Sequence, residues 1–233
     1  MLRHAVFSRR GGFSKAPFES LNTSYSVGDV EGAVTKNLYG IMGNIGAAGL
    51  FFMEQCHGAR AVIIRGRSTD GLIKIPDADA LITNEPGMAL MVKQADCQGV
   101  IIFDPQKEVL AVAHCGWRGN VLNILGKVVK MMADEFGASP DMLKAAIGPS
   151  LGPCCAEFIT YQDIFPASFK DCMVRDGYFD LWSLSRRQLM DAGLVEGNIE
   201  TARICTRCNR NLFYSYRGEA KTGRFATVAM LNK

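Results

Sequence analysis

Histidine is scarce in this chain: His4, His57 and His114 are all that 233 residues contain. No His-x-His pair occurs, so any site that draws on many imidazoles is excluded. Charge of one sign is also lacking. The formal net charge is +3, with no Lys/Arg-dense stripe of the kind that binds nucleic acid. Apolar runs are short, and none approaches the roughly 20 residues a membrane helix needs, so no membrane partner is expected. The opening "MLRHAVFSRRGG" has no apolar signal region, which places the expected location in the cytoplasm. There the eight cysteines stay reduced and serve as core filling, metal ligands or catalysts. Linkers, repeats and low-complexity segments are missing too, so residues 1–233 read as a single α/β domain.

What is present is ample apolar patterning, 48% hydrophobic residues against 21% charged. Val34, Leu38, Ile41 and Ile45 recur at helical spacing over 31–46. "LFFMEQCHGARAVII" reads as two short strands joined near Gly58. "DALIT", "MALMVKQAD", "GVIIFD" and "VLAVAHC" follow, so residues 50–115 supply the strands of a mixed sheet. One long helix is expected over 120–137, with Val121, Leu125, Val128 and Met132 as its stripe and Gly137 as its stop. Further helices are expected at 160–170 and 183–193. "LKAAIGPS", "FYSYR" and "RFATVAML" read as strands.

The chemistry-bearing residues cluster at strand ends. His57 precedes Gly58, His114 precedes Cys115 and Gly116, and Cys97 follows Asp96 at the start of another strand. Three strand ends can converge at one sheet edge, where ligands commonly collect. His, Cys and His suit zinc, and a catalytic zinc site uses three protein ligands with a fourth position left open. The bland alternative is a core cysteine and a hydrogen-bonded strand-end histidine. His4, near the flexible beginning, reads as a surface residue. Arg118, where a turn opens onto the long helix, suits an anion site or a partner for a nearby Asp. Arg10, beside the glycine turn of "SRRGG", is a second candidate. The Cys-x-x-Cys pair of "CTRC" finds no second pair at zinc-ribbon spacing, and the adjacent cysteines of "PCC" are a poor tetrahedral pair. Local packing is expected of both.

In order and combination, these segments resemble the laccase-domain proteins, long labelled polyphenol oxidase and associated with purine nucleoside phosphorylase activity. The resemblance runs through "SRRGGFSKAPFESLNTSYSVGD", "EQCHGARAV", "DADALIT", "QADCQGVIIFDP", "AVAHCGWRG", "AIGPSLGPCCAEF", "CTRCNRNLFYSYR" and "TGRFATVAML". It implies a layered α/β/β/α sandwich, similar to that of cysteine-dependent deamidase toxins. It implies a zinc site formed by His57, Cys97 and His114, with Cys97 and His114 also catalytic. Cys56 and Cys115 depart from the family pattern, which has Val and Ala there, and suggest a redox sensitivity.

The resemblance further implies phosphorolysis of adenosine, inosine, guanosine and methylthioadenosine, with adenosine deamination as a side activity through zinc-activated water. The common zinc-deaminase signature is absent, since Gly58 and Ala59 follow His57. The partners expected are purine nucleosides and inorganic phosphate, with Arg10, Arg60 and Arg118 for phosphate and Asn22 for base or ribose. The legacy label of copper oxidase fails on ligand supply, because three histidines cannot build a blue-copper centre and a trinuclear cluster, although copper can replace zinc at one site. A cysteine–histidine amide hydrolase built on Cys97 and His114 is the alternative class. Oligomeric state is not legible.

Overall fold

Alternation of apolar side chains along β2 (Gly49–Met53) shows how the layers arise. Leu50 and Phe52 turn to one face and Phe51 and Met53 to the other, and both faces are buried. The computed structural model describes residues 2–66 and 70–232. A first, five-stranded sheet has the order β1-β13-β6-β2-β4, built from β1 (Leu2–Val6), β13 (Phe225–Leu231), β6 (Met88–Gln94), β2 and β4 (Gly71–Ile75). A second, six-stranded sheet has the order β12-β9-β7-β8-β5-β3. Its strands are β12 (Ile199–Thr201), β9 (Lys144–Ile147), β7 (Gln98–Asp104), β8 (Val109–Cys115), β5 (Ala80–Thr83) and β3 (Ala61–Ile63). Both sheets mix parallel and antiparallel pairs.

The two sheets pack face to face through Phe51, Met53, Leu90, Val92 and Ala229 on one side and Leu81, Ile101, Leu110 and Val112 on the other. Helix α1 (Glu31–Ile45) covers the outer face of the first sheet with Val34, Leu38, Ile41 and Ile45, the residues whose spacing marked it. Each such side chain contributes roughly 1.5–3 kcal/mol on burial. The outer face of the second sheet is covered by α3 (Ile124–Phe136), through Leu125, Val128 and Met132, and by Leu189 of α5 (Leu181–Asp191). The layering is therefore α/β/β/α.

Several local expectations are corrected. The long helix over 120–137 is two pieces, α2 (Trp117–Val121) and α3, broken where Asn123 adopts φ 52° and its side chain accepts from the N–H of Gly126. An Asn tolerates that left-handed turn and caps the next helix from it. The two strands around Gly58 belong to different sheets, because residues 54–60 cross from one sheet to the other. "FYSYR" is not a strand; it leads into α6 (Tyr216–Glu219), whose cap is Ser215. The helix expected over 160–170 forms as two short pieces, α4 (Tyr161–Ile164) and a 3-10 helix (Ala167–Cys172), ahead of a hairpin of β10 (Met173–Arg175) and β11 (Tyr178–Phe179). Among the described residues no helix is long and apolar enough to cross a membrane.

Candidate active site

The two crossings between sheets and the end of β8 meet at one edge. β2 and β6 run parallel, so their ends lie side by side. His57 sits in the crossing after β2, and Cys97 in the turn that carries β6 of the first sheet into β7 of the second. His114 is the penultimate residue of β8, and Gly99 of β7 faces it. One ligand atom from each of His57, Cys97 and His114 can be chosen so that all lie within 4.8 Å of one another. The two imidazoles are 4.8 Å apart between centroids and nearly perpendicular, at 82°.

Unusual backbone makes the convergence possible. His57 has φ 59° and Asp96 has φ 89°, both left-handed. Such strain persists where the surroundings fix it. Around His57 the fixing group is Asp79, a fully buried carboxylate. It accepts from the N–H of His57 at 3.0 Å, the N–H of Gly58 at 2.7 Å and the thiol of Cys56 at 3.0 Å. Around Asp96 it is the residue's own carboxylate, which accepts from Thr206 Oγ1 and Ser215 Oγ, each at 2.7 Å, and from the N–H of Arg217 at 2.6 Å. Gly116 completes the fit. A Cβ there would lie 2.8 Å from Cys97 Sγ.

Asp79 also reaches His114, with Oδ1 at 2.8 Å from Nδ1. That bond occupies one ring nitrogen and leaves Nε2 for a ligand. A carboxylate behind a metal-binding histidine is the usual supporting arrangement. Asp79, in "DADALIT", carries no local mark of this role in the sequence, since its partners lie 21 or more positions away. Burial opposes ionisation of Asp79, yet the hydrogen bonds from His114 and Cys56 outweigh it and hold the carboxyl below its usual range. Burial likewise opposes charge on Cys97 and His114, but each stabilises the other's charged form. The thiol falls to about 6 and the imidazole rises to about 9. A thiolate, two imidazoles and a buried carboxylate behind them fit a borderline-soft divalent cation such as zinc.

The trio borders a cavity of about 1230 Å³. Arg118, Arg217, Arg224 and Lys93 bring positive charge to its wall, and Tyr25, Phe52, Trp117 and Tyr216 bring aromatic rings. Arg118 lies 4.4 Å over the Trp117 ring and Arg217 5.0 Å over that of Phe158. Burial pushes the Lys93 ammonium down to about 8, partly offset by Glu54. Arg217, Arg224 and Lys93 went unnoticed in the sequence, where nothing ties them to the histidines.

Three expected substrate residues lie elsewhere. Arg10 borders a separate surface cleft and donates to the carbonyl of Asn211 at 2.9 Å. Exposed Arg60 donates to the carbonyls of Pro76 and Asp77. Asn22 is fully buried, donating to Asp29 and Ser24 and accepting from the N–H of Ser24 and, at 2.9 Å, of Arg224. It thereby positions a cavity arginine rather than facing the cavity. Arg118 lines the cavity, but the long-helix N-terminus expected beside it is displaced to Ile124. The redox reading of Cys115 is corrected: the residue is buried, and burial pushes its thiol far up. Cys56, at the surface, is also raised, first by its bond to Asp79. His4, on β1, is exposed and outside the cavity. The "CTRC" pair does find a second pair: Cys154 and Cys155 fold onto Cys205 and Cys208.

Comparison with known proteins gives a consistent picture. The family described as multi-copper polyphenol oxidoreductase laccase matches residues 3–232. The chain is 32% identical to purine nucleoside phosphorylase YlmD of Bacillus subtilis, over 93% of this chain and 84% of that one. It is 30% identical to a purine nucleoside phosphorylase of Bacteroides thetaiotaomicron, over 100% and 92% respectively. The crystal structure of YlmD from Geobacillus stearothermophilus superposes with a TM-score of 0.89 at 28% identity, covering 100% of this chain and 92% of that one.

Proposed function

This chain belongs to the laccase-like family described as multi-copper polyphenol oxidoreductase laccase, and from that membership we propose that it is a zinc-dependent purine nucleoside phosphorylase acting on adenosine, inosine, guanosine and methylthioadenosine. The observation that carries the reading is the convergence of His57, Cys97 and His114 on a cavity whose wall also holds arginines and aromatic rings. Relatives named as purine nucleoside phosphorylases support it.

Phosphorolysis adds phosphate across the bond between ribose C1 and the purine nitrogen, giving ribose 1-phosphate and the free base. The phosphate needs cationic donors, and Arg118, Arg217 and Arg224 border the cavity. The flat base needs faces to stack on, which Tyr25, Phe52 and Tyr216 offer. Asp79 holds His114 in one orientation, and Asp96 holds the turn that presents Cys97. His57, Cys97 and His114 would hold the zinc, which when bound would supply Lewis-acid assistance to phosphorolysis, or to adenosine deamination as a side activity. Copper is a substitute ion for the same donors, but one His-Cys-His site and a remote His4 do not make a multicopper oxidase. The family's description thus outruns this chain's ligands.

A second reading has its own observation. Asp79, His114 and Cys97 stand in the order carboxylate, imidazole, thiolate, the arrangement of a cysteine hydrolase acting on amides. One experiment separates the readings. Metal-analysed protein is incubated with adenosine and with inosine, each with and without phosphate. Phosphorolysis releases adenine or hypoxanthine with ribose 1-phosphate only when phosphate is present. Inosine formed from adenosine without phosphate is the deaminase outcome. No turnover, with a metal-free protein and an alkylatable Cys97, overturns the proposal in favour of the hydrolase.

A further inference from the structure

Four cysteines take no part in the cavity. Cys154 and Cys155 occupy the turn after Pro153, and Cys205 and Cys208 the turns after β12. Their sulfurs all lie within 4.8 Å of one another. Cys208 Sγ is 3.7 Å from Cys154 Sγ and 3.6 Å from Cys155 Sγ. A tetrahedral ion with metal–sulfur bonds of about 2.3 Å separates its sulfurs by about 3.8 Å. All four residues are free thiols. We propose that Cys154, Cys155, Cys205 and Cys208 form a second, structural zinc site with four thiolate ligands, separate from the site at His57, Cys97 and His114.

The backbone around the cluster is built for close approach. Ser150 and Cys205 form a parallel bridge, with the N–H of Ser150 donating to Ile204 O at 3.1 Å and the N–H of Thr206 to Ser150 O at 3.0 Å. A Cβ at Gly152 would lie 3.0 Å from Cys205 Cβ and 2.8 Å from the Trp182 ring, so only glycine lets the two loops touch there. The backbone N–H groups of Gly152 and Cys208 lie beside Cys205 and favour negative charge on its sulfur. In a Cys-x-x-Cys turn, such N–H groups stabilise negative charge on a metal-bound thiolate. Cys154 and Cys208 are exposed, and a surface cluster of unligated thiols is a liability to oxidation that a bound ion removes.

The same two loops hold the turn that carries Cys97. Leu151 N–H donates to Asp96 O at 2.8 Å, and Thr206 Oγ1 to Asp96 Oδ1 at 2.7 Å. An ion joining 154–155 to 205–208 ties both anchors of Asp96 together. It is a positioning device for the cavity, not a reacting centre. It does not depend on the nucleoside reaction.

The test is metal stoichiometry of the full chain, purified under reducing conditions with zinc. Wild-type protein is expected to hold two zinc ions. The His57→Ala/His114→Ala variant keeps one, and after exchange for cobalt(II) its X-ray absorption spectrum shows four sulfur neighbours. The Cys154→Ser/Cys208→Ser variant also keeps one, with mixed nitrogen and sulfur neighbours. The proposal is overturned if the His57→Ala/His114→Ala variant holds no zinc, if its cobalt has nitrogen neighbours, or if the mass of unreduced wild type shows the four cysteines joined as disulfides. The first variant leaves the four cysteines intact, so the test survives if the cysteine variant does not fold.

Discussion

His114 Nδ1 and Asp79 Oδ1 lie 2.8 Å apart, with both side chains buried. The carboxylate does two tasks at once, since it also holds the left-handed backbone at His57. Asp79→Ala therefore disturbs two of three ligands without replacing any of them. Loss of such a supporting group typically weakens metal affinity by about 10–100-fold. That loss is expected at the His57 site in competition with a chelator. Unchanged affinity would mean that the carboxylate serves the fold alone.

Gly116→Ala tests the geometry from the opposite side. Gly116 has φ −85°, so alanine costs nothing in backbone conformation. Its methyl would nevertheless stand 2.8 Å from Cys97 Sγ and must displace it. A misplacement near 1 Å can cost about 100-fold in rate. Nucleoside turnover is expected to fall on that order while circular dichroism and melting temperature stay close to wild type.

How much of this was legible beforehand depends on the kind of signal. Helix α1 was, because a 3.6-residue apolar stripe is local. The trio of His57, Cys97 and His114 was, because each stands where a strand begins or ends, within two residues of a glycine. Asp79 and Asp96 gave no local signal for their roles, since those roles are long-range hydrogen bonds, from Asp79 to residues 21 or more positions away and from Asp96 to residues 110 or more away. The split at Asn123 was hidden because the apolar stripe continues across it. Arg10 and Arg60 looked suitable as anion binders, yet neither borders the cavity, and each is tied to backbone carbonyls outside it. Arg217 and Arg224 reach the cavity only because the segment before β13 folds back over it.

That relocation of positive charge has a kinetic consequence. Arg217→Ala, Arg224→Ala and Arg118→Ala each remove a charge-assisted donor, worth about 1.5–3 kcal/mol. Each is expected to raise the KM for phosphate by about 10–100-fold, read at saturating inosine. Exposed Arg60→Ala and Arg10→Ala should leave it within about 2-fold, the usual effect of a surface change. The reverse ranking would move the phosphate site out of the cavity.

In zinc-free protein the Cys97 thiol is poised differently from an ordinary one. Burial would raise it, but the neighbouring His114 charge and hydrogen bonds from His114 and His57 bring it down to about 6, while His114 rises to about 9. Below pH 6 Cys97 is protonated and unreactive. Above pH 6 it is a thiolate, and His114 stays charged beside it until about pH 9. Alkylation by iodoacetamide, located at Cys97 by peptide mapping, should therefore climb through pH 6 and flatten well before neutral thiols begin to react. His114→Ala removes the stabilising charge, so its midpoint should move upward, toward the ordinary thiol value. Zinc should abolish the reaction in wild type by occupying the sulfur. A wild-type midpoint at the ordinary value, or alkylation undiminished by zinc, would break the link between this cysteine and its two imidazoles.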